Sequence, residues 1–133
     1  MAGRRKGSRD LTPLELQIMQ VLWREGPSDV LHVQKNLPGD TDLAYTTVQT
    51  MLNVLHRKGK VRRNLVGRAY EYHPVLSYEK ATRQAVRDLV ERLFGGSAEQ
   101  LVMSLIKNRQ IDPSRIADLS RMITARERGE QDE

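Results

Sequence analysis

The stretch from Leu43 to Pro74 constrains this chain most, because it sets a two-faced helix directly before a hairpin loaded with positive charge. Between Ala44 and Lys58 the apolar residues Val48, Met51, Leu52 and Leu55 recur at i, i+3, i+4 and i+7, which gathers them on one side of a helix. The opposite side carries Thr46, Thr50, Asn53 and Arg57. An ordinary solvated face is rich in Glu and Lys; short hydrogen-bonding groups at the helix start suit an approach to base edges. The next segment, Val61 to Tyr72, reads as two short strands joined by a turn at Gly67. Between Asp42 and Glu71 there are six cations (Arg57, Lys58, Lys60, Arg62, Arg63 and Arg68) and no carboxylate. Such an unbalanced run belongs where a phosphate backbone passes.

The remaining sequence organises around that segment. Thr12-Pro13-Leu14-Glu15 forms a capping box with Pro at the first helical position, so a first helix runs from Thr12 to about Arg24 and stops at Gly26-Pro27. Its core stripe is expected to be Leu14, Ile18, Val21 and Leu22. Ser28 is placed to cap a second helix through Val30, Val33 and Leu37, ended by Pro38-Gly39, and Thr41 or Asp42 to cap the third. Asp29 and Asp40 also lie where helix caps fall. Three helices followed by a basic hairpin make a winged helix-turn-helix.

After Pro74 the pattern becomes purely helical. Ser77 opens a helix to Phe94 with Val86, Leu89, Val90 and Leu93 on one stripe, closed by Gly95-Gly96. Ser97-Ala98-Glu99-Gln100 is a second capping box, leading Leu101, Val102, Leu105 and Ile106, and Asp112-Pro113 starts a last helix with Ile116, Leu119 and Ile123. A helical segment this short buries too little surface to stand alone, so two chains are expected to bury these stripes against each other. Pairing also suits a DNA reader, since one recognition helix spans only a few base pairs. The expected organisation is a basic flexible arm over residues 1–10, a winged-helix DNA-binding domain over 11–74 and a helical dimerisation domain over 75–133.

Composition excludes several alternatives. With 133 residues, 38% hydrophobic and 29% charged, the chain fits one ordinary domain or two small ones. It has no cysteine, hence no disulfide, thiolate metal site or cysteine nucleophile. His32, His56 and His73 are scattered without ligand spacing, so no metal or other cofactor is expected. There is no phosphate-cradling glycine loop and no nucleophile–base pairing, which argues against an enzyme. No apolar run is long enough for a membrane span and no h-region follows the basic N-terminus, so a cytoplasmic location without membrane insertion is expected. The net charge of +5 favours a polyanionic partner. It is concentrated in the first half: Arg4, Arg5, Lys6 and Arg9 precede the basic hairpin, whereas the tail from Arg126 holds two cations and four acids.

Three groups of residues carry a family likeness: Leu11-Thr12-Pro13-Leu14-Glu15-Leu16 with Ile18-Met19-Gln20-Val21-Leu22-Trp23, then Ala44-Tyr45-Thr46-Thr47-Val48-Gln49-Thr50-Met51-Leu52 with Lys58-Gly59, then Gly67-Arg68 with Tyr70-Glu71-Tyr72-His73-Pro74. Over residues 11 to 123 the chain resembles the BlaI/MecI penicillinase-repressor family. The resemblance implies a winged helix, a C-terminal dimerisation region and repression from palindromic operators, with β-lactam-resistance or related genes as targets. It also implies induction by proteolytic cleavage after a membrane sensor with a zinc-protease domain detects a β-lactam. The family's scissile Asn-Phe bond lies in an apolar segment that corresponds here to Leu101-Val102-Met103-Ser104-Leu105, which sets the cleavage site at Ser104–Leu105 with both side chains changed. Copper-responsive relatives carry a C-terminal cysteine cluster that this chain lacks.

The expected assignments are therefore base readout by Thr46, Thr47, Gln49, Thr50 and Asn53, and phosphate or wing contacts by Arg57, Lys58, Lys60, Arg62, Arg63 and Arg68. Dimerisation is expected through Val86, Leu89, Val90, Leu93, Leu101, Leu105, Ile116, Leu119 and Ile123. The partners are a double-stranded DNA operator, a second copy of the chain and a membrane sensor protease. The alternative is a winged-helix protein-interaction module with only nonspecific DNA affinity.

Overall fold

The computed structural model describes residues 11–132, so the expected arm over residues 1–10 lies outside the described residues. Helix α1 (Pro13–Glu25) starts with the full capping box: the Thr12 hydroxyl accepts from the Glu15 amide at 3.1 Å and a Glu15 carboxylate oxygen accepts from the Thr12 amide at 2.9 Å. Its buried sector is rotated from the expected one. Ile18, Val21 and Leu22 are inside, but Leu14 is 39% exposed and its place is taken by Met19 and Glu15. A carboxylate enters that sector because Lys58 neutralises it there.

Helix α2 (Val30–Lys35) is capped by Asp29, which accepts from the His32 amide at 2.8 Å, and not by Ser28. Ser28 has another use. Its backbone N–H and C=O pair with Tyr72 at 3.0 and 2.8 Å, and its hydroxyl donates to the Gly26 carbonyl. The helix closes at Asn36, ahead of Pro38-Gly39. Helix α3 (Tyr45–Arg57) follows Ala44, and no side chain caps it. Thr41 and Asp42 lie too early to reach its free amides, and the Thr41 hydroxyl donates instead to Gln17 at 3.1 Å.

Strands β1 (Val61–Val66) and β2 (Ala69–Pro74) pair antiparallel from Val61 opposite Pro74 to Val66 opposite Ala69. The Gly67-Arg68 link carries a positive φ of 65° at Gly67, a conformation that glycine adopts without steric cost. Directly opposed residues share a face, so Val61, Arg63 and Leu65 stand with Tyr72 and Tyr70, and Arg62 and Asn64 stand with His73 and Glu71 on the other. One core unites α1, α2, α3 and the hairpin: Ile18, Met19, Val21, Leu22, Val30, Val33, Leu37, Val48, Leu52, Leu55, Val61, Tyr72 and Leu76.

That core reaches past Pro74. Trp23 donates from Nε1 to the Leu76 carbonyl at 2.9 Å, its ring meets Tyr78 edge-on at 5.4 Å, and Ala81 packs against the cluster. The chain divides into two compact units after Ala85. Helix α4 (Tyr78–Leu93) therefore contributes its first turns to the N-terminal unit, where the sequence pattern alone sets a break at Pro74.

The second unit holds the end of α4, helix α5 (Ala98–Lys107) and helix α6 (Ser114–Asp132). Gly95 and Gly96, both at positive φ, close α4, and Ser97 caps α5 by accepting from the Gln100 amide at 3.2 Å. Asp112 accepts from the Ser114 amide and hydroxyl at 3.0 Å each, and these bonds, the backbone one first, hold its carboxyl below the usual aspartate range. No residue described in this unit is buried. Val86, Leu89, Leu93, Val102, Met103, Ile116, Met122 and Ile123 are all exposed. No described helix is long and apolar enough to cross a membrane.

Candidate nucleic-acid interface

Helix α3 presents its polar side to solvent because Val48, Leu52 and Leu55 are fully buried on the other. Thr46, Thr47, Gln49 and Thr50 are all exposed, and Thr46, Gln49, Thr50 and Arg57 fall within a stripe about 100° wide. The first turn holds no acidic residue and no side-chain cap, so the positive end of the helix dipole is left unneutralised beside the threonines. The periodicity leaves Tyr45 unassigned; it is 43% exposed in that same first turn.

The six cations do not act as one group. Arg57, Arg62 and Arg68 are exposed, and none is in an ion pair among the described residues. Lys60 is half-exposed, and its carbonyl accepts from the amides of Val75 and Leu76, tying the hairpin's start to the segment beyond its end. Lys58 is committed elsewhere. Its ammonium lies 3.0 Å from both Glu15 carboxylate oxygens, with the side chains 19% and 6% exposed. The run that is unopposed in sequence thus meets an acid from α1 in space, and the Lys58 ammonium is turned to that acid.

Arg63 and Asn53 are also spoken for. Asn53 Oδ1 accepts from the Arg63 guanidinium at 2.8 Å and from the Tyr72 hydroxyl at 3.2 Å, and the guanidinium stacks over the Tyr70 ring at 4.3 Å. Asn53, expected to read a base, instead has its oxygen turned to the wing. Arg62, next in sequence but on the opposite face, is exposed with His73 as its cross-strand neighbour. His73 pairs with Glu71 at 3.1 Å.

Away from this surface, Glu25, Pro27, Asp29, His32, Val66, Ala69, Tyr70 and Glu71 border a hollow of about 430 Å³ between α1, α2 and the wing. Hydrogen bonds from His32, and then from Arg24, hold the Glu25 carboxyl below its usual range. At the wing tip Leu65 is 64% and Val66 57% exposed, a pair of apolar residues that strand alternation alone does not single out.

The sequence profile of the penicillinase-repressor family matches residues 11–125, from the capping box of α1 to within α6. The chain belongs to that family. This penicillinase-repressor family member is 24% identical to the penicillinase repressor of Bacillus licheniformis over 113 residues, 85% of this chain and 88% of that one. It is 17% identical over 110 residues to the penicillinase repressor of Staphylococcus aureus, 83% of this chain and 87% of that one. It is 42% identical over 66 residues to the transcriptional regulator BlaI of Mycobacterium tuberculosis, 49% of this chain and 48% of that one. Membership makes the protein a DNA-binding transcriptional repressor with a winged helix, and not an enzyme.

Proposed function

We propose that the protein is a homodimer that represses transcription by occupying a palindromic operator, with Thr46, Thr47, Gln49 and Thr50 reading base edges in the major groove. Arg57, Arg62 and Lys60 would lie along the phosphates, and Arg68 at the wing tip would enter the adjacent minor groove. The observation that carries the reading is the exposed polar stripe of α3, flanked by arginines that no described acid pairs with.

The second unit supports the dimer. Its helices have stripes of apolar residues but no buried residue among those described, and they pack only slightly on one another. Val86, Leu89, Val90 and Leu93 of α4, Leu101 and Leu105 of α5, and Ile116, Leu119 and Ile123 of α6 would gain cover from a second copy. Sedimentation of the protein with a two-fold symmetric duplex tests the assembly: two chains per duplex are expected, and one chain per duplex would contradict it.

Control by a membrane sensor protease belongs to the same proposal, with β-lactam-resistance or related genes as the regulated set. The Ser104–Leu105 bond lies inside α5, and both residues are half-exposed. A protease needs extended backbone, so cutting there requires that part of the helix to unwind, after which α6 would be severed and the dimer weakened. The intact mass of the chain before and after β-lactam exposure tests this: an unchanged mass would remove proteolysis from the account.

A further inference from the structure

We infer that Asn53 positions the wing against the recognition helix and does not itself read a base. At its Oδ1, side-chain donors from both strands converge: Arg63 of β1 donates at 2.8 Å and the Tyr72 hydroxyl of β2 at 3.2 Å. Tyr72 is buried to 1% exposure, so one of the two donors is anchored in the core. Arg63 is held from its other side by Tyr70, whose ring lies 4.3 Å from the guanidinium carbon. The sequence Asn53, Arg63, Tyr70 therefore forms a continuous strut from α3 into the outer half of the hairpin, towards Gly67-Arg68.

A wing fixed in this way sets the distance between the Thr46–Thr50 stripe and Arg68 before DNA arrives. Val61 and Tyr72 in the core and the Ser28–Tyr72 backbone pair already hold the base of the hairpin, but residues 62–71 include no buried residue, and a two-stranded ribbon is marginal by itself. Two hydrogen bonds and a cation–π contact restrict it, so less ordering accompanies binding. The inference rests on the DNA-binding reading, since the strut matters for recognition only if helix and wing contact one duplex together.

The test compares Asn53→Leu, which deletes the acceptor while keeping the branched shape, with Asn53→Asp, which retains an oxygen at the Oδ1 position. The first readout is amide hydrogen exchange in β1 and β2 of the free protein. The second is the ratio of affinities for a duplex selected by the wild-type protein and for random duplex, a ratio in which the added charge of Asp cancels. The expected result for Asn53→Leu is hairpin exchange faster by about tenfold and a comparable loss of discrimination. Asn53→Asp should stay close to wild type in both. In the Asn53→Leu background, Arg68→Ala should cost little further affinity, because the wing is already misplaced. Tyr72→Phe removes one donor while keeping the buried ring, and it should shift both readouts in the same direction by less if Asn53→Leu does not fold. Unchanged exchange in Asn53→Leu and Tyr72→Phe would overturn the inference, as would equal loss of discrimination in the Leu and Asp variants. A wild-type protein that discriminates among no duplexes while exchange still separates Leu from Asp would overturn the DNA reading and leave the strut standing.

Discussion

The ammonium of Lys58, at the end of α3, lies 3.0 Å from both carboxylate oxygens of Glu15, in the first turn of α1 and 43 residues earlier. Glu15 also accepts from the Thr12 amide, so one buried carboxylate closes the capping box of α1 and anchors the end of α3. Removing either partner leaves the other charge desolvated. Lys58→Met is therefore expected to cost about 3 kcal/mol of folding stability in urea titration. Its salt slope on DNA should match wild type, because the ammonium faces α1. A slope flattened by about one unit would mean that Lys58 contacts a phosphate after all.

Arg62 and Arg63 are neighbours in sequence with opposite surroundings, and their alanine variants should separate. Arg62→Ala is expected to weaken all duplexes alike and flatten the salt slope by about one phosphate, with stability unchanged within about 0.5 kcal/mol. Arg63→Ala is expected to cost about 1 kcal/mol of stability through the lost Asn53 bond and Tyr70 stacking. Identical behaviour of the two in both assays would contradict the geometry.

Thr50→Ala or Gln49→Ala should cost about 1 to 3 kcal/mol on the cognate site and clearly less on random duplex, because these exposed groups can touch base edges. Affinity measured on both sequences at fixed salt decides it. Equal losses would refute base readout.

Leu89→Asp places a charge on the apolar stripe of α4, where the side chain is 39% exposed in the single chain. In a dimer that buries this stripe the charge has no partner, so the sedimenting mass should halve. A mass that stays dimeric would move the interface elsewhere.

Local signals in the sequence located most elements. The Thr12-Pro13-Leu14-Glu15 box, Gly67 in the hairpin turn, Gly95-Gly96 after α4 and Ser97 before α5 each act within a few residues, and each is found where its chemistry demands. Side chains whose partners come from distant segments were not legible. Ser28 is as good a cap as Asp29 by type, but Tyr72 claims its backbone. Asn53 sits on the polar side of α3 by periodicity, yet spacing says which face a residue occupies and not that Arg63 and Tyr72 will converge on it. Lys58 likewise looked unopposed because Glu15 lies on another helix. In the C-terminal unit the apolar stripes were readable, and none of its described residues is buried.

Sequence-specific recognition by a paired winged helix is tested by selecting bound duplexes from sheared host genomic DNA at near-physiological salt. Enrichment of a two-fold symmetric site is expected, with half-sites about one helical turn, or a whole number of turns, apart. Recovery of fragments that share no motif would contradict it, leaving the exposed arginines with electrostatic DNA affinity alone.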